Sequence, residues 1–198
     1  MDTLHKLFAT PLLHTHLSVQ GPILDFVKSQ EFGYHSNGYM THESLLECNE
    51  LASVKKFITG KVKTYFYDYC GFDKEVFPEL ISSWANLHNK GDWAQQHVHC
   101  NSIISFAWYL STPENCGDFI IYPHLKLFGN TLDFNCDNRN DLNSDNYGFT
   151  PQVGDIFIFP SSTLHSVDPS KSDSERISFA GNYIMRGTVN SGTIKVTL

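Results

Sequence analysis

The stretch Gly154-Asp155-Ile156-Phe157-Ile158-Phe159-Pro160 has the pattern of a turn followed by a short buried strand, because four large apolar residues follow a glycine turn signal. Similar short apolar runs, separated by turn residues, continue through most of the chain after residue 80. Strands are predicted at residues 81–87, 96–110, 119–122, 155–159, 177–184 and 193–198. Several short strands that follow a helical segment indicate a mainly β fold with flanking helices. The expected architecture is a double-stranded β-helix, also called a jelly roll or cupin-like fold.

The N-terminal part has a different pattern. Residues 1–40 hold short apolar runs broken by glycine and proline, which favours extended strand and loop. Residues 41–69 carry apolar side chains at three- and four-residue spacing, which predicts an amphipathic helix with a break or kink at Gly60. A second short helix is expected near Phe72. We expect residues 1–198 to form a single domain, in which residues 1–79 supply N-terminal strand and helix support and residues 80–198 form the β-helix core.

The composition excludes several classes of protein. The net charge is −7 and the sequence has no lysine or arginine cluster, which argues against a nucleic-acid partner. No apolar run approaches the roughly 20 residues of a membrane span, and residues 1–13 lack the apolar core of a signal peptide. The five cysteines are odd in number and contain no CxxC pair, so free thiols in a reducing cytoplasm are expected.

Residues 130–150 are rich in asparagine and aspartate, and their few large apolar residues follow no period. We interpret the segment as a long mobile loop, because its acidic spacing does not match a calcium-binding EF-hand. Together with the N-terminal region, this loop is the expected specificity element, since long loops around a barrel mouth commonly select the substrate.

Three of the ten histidines have a metal-binding pattern. His97 and His99 are two residues apart, so on one strand they would point to the same face. His165, five residues after the apolar stretch, is the candidate third ligand, and three neutral imidazoles suit iron, zinc or copper. The alternatives to His99 as a ligand are a water molecule or a carboxylate, with Asp118 and Asp155 as candidates. The other histidines have no partner at ligand spacing: His5, His14, His16, His35, His42, His88 and His124.

A candidate anion anchor follows His165. Arg176 and Ser178 share one strand face, and an arginine forms a fork that matches a carboxylate. If His165 and Arg176 lie on neighbouring antiparallel strands, the guanidinium is one step deeper in the barrel than the metal. A surface salt bridge between Arg176 and Glu175 or Asp173 is the alternative. In the strand that follows the histidine pair, residues 105, 107 and 109 keep the parity of His97 and are expected to line the same interior.

Taken together, these motifs resemble the 2-oxoglutarate/Fe(II)-dependent oxygenases over residues 80–185. They are most similar to a small branch from bacteria and phages that carries HxH in place of HxD. The resemblance rests on His97-Val98-His99, Trp108-Tyr109-Leu110-Ser111, Gly117-Asp118-Phe119, the stretch at residues 154–160, His165 and Arg176-Ile177-Ser178.

The resemblance implies a role for each matching position. The metal ligands would be His97, His165 and His99, the last standing where the family normally has a carboxylate. Arg176 would bind the C5 carboxylate of 2-oxoglutarate, and Ser178 and Tyr109 would donate to the same group. The implied cofactors are Fe(II), 2-oxoglutarate and O2, with ascorbate in support. The implied reaction is hydroxylation of a C–H bond, with release of succinate and CO2.

The sequence leaves several points open. The substrate that is hydroxylated is unidentified, and a peptide or a small metabolite fits the charge balance better than a nucleobase. The oligomeric state is also open, with a homodimer among the alternatives. A cupin-type metal enzyme or metal-binding protein that does not use 2-oxoglutarate would hold the same histidines but would not need Arg176. In a non-catalytic β-sandwich binding module, the histidines would be incidental and no metal would bind.

Overall fold

The structure, a computed structural model, describes residues 3, 9–42, 44–124, 135–190 and 195–197. The strands are β1 (Leu13–His16), β2 (Gly33–His35), β3 (Gly38–Met40), β4 (Val76–His88), β5 (Ala94–His97), β6 (Ile104–Ser111), β7 (Phe119–Ile121), β8 (Tyr147–Phe149), β9 (Asp155–Pro160), β10 (His165–Val167), β11 (Arg176–Asn190) and β12 (Lys195–Thr197). The α-helices are α1 (Gly21–Lys28) and α2 (Ala52–Lys63). None of the helices in these described ranges is long and apolar enough to cross a membrane.

Two antiparallel sheets carry the fold. In the described part of the chain, the larger sheet has eight strands in the order β1-β9-β6-β11-β4-β3-β2, with β12 paired to β11. The smaller sheet has the order β5-β10-β7-β8. A cavity between the sheets is lined by strands from both. This arrangement confirms the predicted double-stranded β-helix with flanking helices.

The central strand β11 shows how the sequence divides the two faces of the larger sheet. Ile177 and Phe179 are fully buried in the main hydrophobic cluster, together with the α2 residues Val54 and Ile58. Burying such a side chain stabilises the fold by about 1.5–3 kcal/mol. Ser178 lies between Ile177 and Phe179 and points to the opposite face, which lines the cavity. The period of two therefore separates a helix-covered apolar face from a polar cavity face.

The N-terminal segment contributes strands as well as support. β1 pairs with β9, and β3 joins the edge strand β2 to β4. The predicted boundary at residues 79/80 falls inside β4. The extended segments expected in residues 1–40 are confirmed in part, but α1 was not predicted. Pro22 lies in the first turn of this helix, where its fixed φ is favourable and its missing N–H costs nothing.

The predicted helix at residues 41–69 is confirmed only in its centre. Two short 3-10 turns, Leu45–Glu47 and Asn49–Leu51, precede α2, and a π-helix, Thr64–Tyr69, follows it. Gly60 lies within the continuous helix, so the expected break is wrong; an added Cβ there would meet nothing within 4 Å. No helix begins near Phe72, where the described chain makes turns that lead into β4.

Two predictions in the C-terminal half are wrong in part. The strand expected at residues 96–110 is interrupted after His97 by a loop in which Asn101 has a positive φ of 59°. β5 and β6 belong to different sheets, and this left-handed residue helps the chain to cross between them. The expected loop at residues 130–150 contains β8, which pairs with β7, whereas residues 130–134 lie outside the described residues. The strand expected at 193–198 is described only as β12.

We predict opposite effects for two glycine-to-alanine substitutions. A Cβ on Gly181, in the middle of β11, would lie 2.6 Å from Cε1 of Phe106 and 2.7 Å from the carbonyl oxygen of Ser82. Gly181→Ala should therefore lower the free energy of unfolding by about 1–3 kcal/mol. Gly60→Ala should raise it by about 1 kcal/mol, because alanine favours a helix and the site is open. Urea unfolding of both variants tests this, and equal effects would contradict the described packing.

Candidate metal centre and adjoining cavity

Three histidines converge at one end of the smaller sheet. His97 ends β5, and His165 begins β10 directly opposite it in the antiparallel pairing. His99 lies two residues beyond the end of β5, where its backbone N–H donates to the carbonyl of Ser161 at 2.9 Å. The candidate ligand atoms of these three histidines all lie within 4.8 Å of one another. The predicted set is therefore brought together, although His97 and His99 do not share one strand.

Hydrogen bonds orient two of the imidazoles. Nδ1 of His97 lies 2.7 Å from the carbonyl oxygen of Gln95, and Nδ1 of His165 lies 2.8 Å from that of Thr163. A carbonyl only accepts, so these contacts assign the proton to Nδ1 and leave the Nε2 lone pair free. Metal-binding histidines commonly have this arrangement, because the second hydrogen bond fixes the ring and the tautomer.

The protonation states also suit a metal. Burial lowers the pKa of His165 to about 3 and that of His99 to about 4, and the neighbouring His97 lowers both further. His99 and His165 are therefore neutral at pH 7, which is the form that binds a divalent cation. Three neutral nitrogen donors that leave coordination positions open fit iron, and also zinc or copper.

The two aspartates considered as alternative ligands have other partners. Oδ1 of Asp118 accepts a hydrogen bond from the Thr150 hydroxyl at 2.8 Å, and Oδ2 of Asp155 accepts one from the backbone N–H of Gln152 at 2.8 Å. Among the described residues, neither carboxylate joins the histidine group.

A cavity of about 410 Å³ lies between the histidines and the inner face of the larger sheet. On that face the three central strands place their side chains in rows. Ser178 lies between Asn86 and Tyr109, the next inward residue, Ala180, lies between Trp84 and Ala107, and Asn182 lies between Ser82 and Ser105. Residues 105, 107 and 109 therefore all point to this inner face, as the sequence predicted. Ser105 is buried and donates to Oδ1 of Asn182 at 2.7 Å.

Arg176 begins this series at the opposite end from Asn182. It lies on the larger sheet and His165 on the smaller one, so they do not occupy neighbouring strands, the condition under which the guanidinium would lie one step deeper than the metal. The side chain is 1% exposed. Nη1 donates to the carbonyl of Cys116 at 2.8 Å, and Nη2 donates to Nδ1 of His88. Nε has no hydrogen-bond partner among the described residues.

The environment of Arg176 favours an anion. The alternative of a surface salt bridge is wrong, because the residue is buried and Asp173 pairs with Lys90 at 2.7 Å. Burial lowers the pKa of Arg176, but a guanidinium keeps its charge in proteins. A buried cation whose Nε–H has no partner, and which has no paired carboxylate among the described residues, has the properties of an anion-binding group.

Tyr109 and Ser178 line the cavity beside this end. Burial raises the pKa of Tyr109, so its hydroxyl stays protonated and can donate a hydrogen bond. Of the residues predicted to bind a carboxylate, Tyr109 and Ser178 line the cavity, and Arg176 lies behind His88 of the same lining. His88 was not singled out by the sequence analysis, yet it is 7% exposed, lines the cavity and contacts Arg176. His88 follows Trp84 and Asn86 at two-residue spacing, so it shares their strand face. This spacing could have identified His88 as a cavity residue.

Comparison with known proteins gives one family match. A family model described as "Putative 2OG-Fe(II) oxygenase" matches residues 82–182 of this chain. No curated protein sequence matches the chain significantly.

Several solved structures share the fold. A 2OG-Fe(II) oxygenase family oxidoreductase from Burkholderia pseudomallei is 13% identical, with a TM-score of 0.59 over 81% of this chain and 76% of that chain. A prolyl-4-hydroxylase from Pseudomonas putida is 12% identical, with a TM-score of 0.59 over 90% of this chain and 94% of that chain. HygX from Streptomyces hygroscopicus, solved with nickel and 2-oxoglutarate, is 9% identical, with a TM-score of 0.57 over 88% of this chain and 82% of that chain. At these identities the likeness concerns the fold.

We predict that His97→Ala and His165→Ala each weaken divalent metal binding by at least about a hundredfold. Losing a ligand should cost no less than losing the group that orients it, which weakens metals by about 10–100-fold. Calorimetric titration with Mn(II) measures the effect. His16→Ala is the matched control, because His16 is 56% exposed and faces Asp155. An affinity that falls equally in all three variants, or in none, would contradict this metal centre.

Proposed function

The chain belongs to the 2OG-Fe(II) oxygenase family and is therefore a 2-oxoglutarate/Fe(II)-dependent oxygenase; on that premise, we propose that it hydroxylates a C–H bond of a substrate that binds in the cavity between its two sheets. One observation carries the proposal. Three histidines with converging ligand atoms line a cavity, and His88 in the same lining contacts the buried Arg176, which has no paired carboxylate among the described residues. Family membership confirms the resemblance to the 2-oxoglutarate/Fe(II)-dependent oxygenases.

Each proposed ligand has a definite task. His97, His99 and His165 would hold Fe(II) through their ring nitrogens, with the rings of His97 and His165 fixed by the carbonyls of Gln95 and Thr163. When bound, Fe(II) and 2-oxoglutarate together supply the oxidation of a C–H bond by O2, with release of succinate and CO2. His99 contributes no negative charge, so the three protein ligands leave the metal with its full charge to attract a dianionic cosubstrate.

The opposite end of the cavity would bind the far carboxylate of 2-oxoglutarate. Arg176 supplies the charge and a free Nε–H, and Tyr109 and Ser178 supply neutral hydroxyl donors. Hydrogen bonds between a cation and a carboxylate are about twice as strong as neutral ones. The guanidinium would therefore fix the cosubstrate, and the hydroxyls would select its orientation.

The remaining cavity wall suggests the kind of group that is hydroxylated. Among the described residues, the lining includes no lysine, arginine, aspartate or glutamate. Phe119 and Phe159 contact His165 edge-to-face at ring-centroid distances of 5.8 and 5.0 Å and would exclude water from the metal. We propose an uncharged target group, carried by a peptide side chain or a small metabolite.

We further propose that residues 1–198 act as one catalytic unit in the cytoplasm. All five cysteines are free, as expected in a reducing compartment. The alternative of a metal enzyme that does not use 2-oxoglutarate is disfavoured, because it leaves the buried charge of Arg176 without a counter-ion.

We predict turnover of the cosubstrate alone. Incubation with Fe(II), ascorbate, O2 and 2-oxoglutarate should produce succinate even without the second substrate, because none of the proposed metal and cosubstrate ligands belongs to that substrate. Succinate is measured by mass spectrometry, with His165→Ala as the inactive control. If the intact protein neither turns over nor binds 2-oxoglutarate, the proposed function is wrong.

We also predict that Arg176→Lys separates the two binding steps. Lysine keeps the charge but loses the planar fork. The affinity for 2-oxoglutarate should fall by about tenfold or more, whereas Mn(II) affinity should change little, since losing a charge-assisted hydrogen bond costs about 1.5–3 kcal/mol. Titration of each ligand in turn provides the measurement. Equal losses for both ligands would count against this role of Arg176.

A further inference from the structure

His88 holds a particular position relative to Arg176. It is the last residue of β4 and lies directly opposite Arg176 in the pairing with β11. Its side chain is buried and lines the cavity, and its Nδ1 accepts a hydrogen bond from Nη2 of Arg176. His88 is therefore the cavity residue in direct contact with the buried guanidinium.

Both acceptors that hold Arg176 are uncharged. Nη1 donates to the carbonyl of Cys116 and Nη2 donates to the imidazole of His88, while Nε stays without a partner among the described residues. A carboxylate in either place would neutralise the guanidinium and compete with an incoming anion. Neutral acceptors fix the orientation of the group and leave its charge available.

The protonation state of His88 agrees with this geometry. Burial lowers the pKa of His88 to about 3, and the charge of Arg176 lowers it further. At neutral pH the imidazole therefore has a lone pair on Nδ1 to accept the arginine N–H, and the second nitrogen carries the proton.

The other edge of the imidazole is held by β3. A Cβ added to Gly38 would lie 2.7 Å from Nε2 of His88, which leaves no room for a larger residue. Gly38 lies one residue before the pairing of Tyr39 with Leu87. His88 is thus packed between the backbone of a neighbouring strand and the guanidinium, so its ring has little freedom to turn away.

We propose that His88 is a positioning residue for the cosubstrate: it orients the Arg176 guanidinium through an uncharged hydrogen bond and keeps the Nε edge free for the far carboxylate of 2-oxoglutarate. This inference rests on the proposed function, because it assumes that 2-oxoglutarate binds at this end of the cavity. It assigns a role to a residue that lies outside the group of three histidines.

The test uses two substitutions that differ only in charge. His88→Asn supplies a neutral acceptor near the place of Nδ1, and His88→Asp supplies a carboxylate of the same size. We expect the Asn variant to bind 2-oxoglutarate within about threefold of the unmodified protein, and the Asp variant to bind it about 10–100-fold more weakly. Both are titrated as the full-length Mn(II)-loaded protein without O2, and both should keep the Mn(II) affinity.

Steady-state turnover and the melting temperature distinguish a positioning role of His88 from a purely structural one. A purely structural role would not produce the combination of changes that follows. In the Asp variant the KM for 2-oxoglutarate should rise, while kcat at saturating 2-oxoglutarate stays within about threefold. Its melting temperature without 2-oxoglutarate should not fall below that of the Asn variant, because the new carboxylate pairs with the buried cation. If the Asp variant does not fold, His88→Leu replaces it; this variant lacks an acceptor, and we expect weaker 2-oxoglutarate binding than in the Asn variant.

The outcomes separate the two proposals. If the unmodified protein does not bind 2-oxoglutarate, both the proposed function and the role of His88 are wrong. If it binds 2-oxoglutarate and the Asn variant binds no better than the Asp or Leu variant, only the role of His88 is overturned.

Discussion

The charge of Arg176 is the constraint on which the organisation of the cavity depends. A guanidinium that is 1% exposed, with no paired carboxylate among the described residues, costs several kcal/mol unless something compensates for the lost hydration. The Cys116 carbonyl and the His88 imidazole compensate in part, and the unpaired Nε leaves the rest to a ligand. Part of the desolvation cost of the guanidinium therefore stays uncompensated by the protein, and a bound anion would offset it. The histidines at the other sheet add a second attraction, so a ligand that is both chelating and dianionic satisfies both ends at once.

The strand register links this constraint to the fold. On β11 the residues that face the helices are large and apolar, whereas Ser178, Ala180 and Asn182 line the cavity and Arg176 shares their strand parity. A slip of one residue would exchange the two faces and would bring the arginine into the apolar layer beneath α2. The same apolar residues that stabilise the larger sheet therefore also determine which polar groups reach the cavity.

Much of the site could be predicted because its signals are local. The apolar stretch at residues 154–160, the His97/His99 pair and the Arg176/Ser178 pair are each short local patterns, and period-two spacing determines the shared face of Arg176 and Ser178. The break between β5 and β6 was missed because it depends on Asn101 and on a change of sheet, which apolar spacing does not show. The contact of His88 with Arg176 joins residues 88 positions apart in the sequence, and no local pattern predicts such a pairing.

The close approach of Gly38 to His88 has a consequence for protein engineering. The hairpin formed by β2 and β3 places His35, Ser36 and Tyr39 at the cavity, where they are natural targets for altering selectivity. The same hairpin also confines the imidazole that touches Arg176. On the proposed role of His88, a substitution in this hairpin would change both the substrate selectivity and the affinity for 2-oxoglutarate. A library of hairpin variants would therefore combine the two effects. Screening such a library under saturating 2-oxoglutarate, with residue 38 held as glycine, would separate altered selectivity from an accidental loss of the anchor.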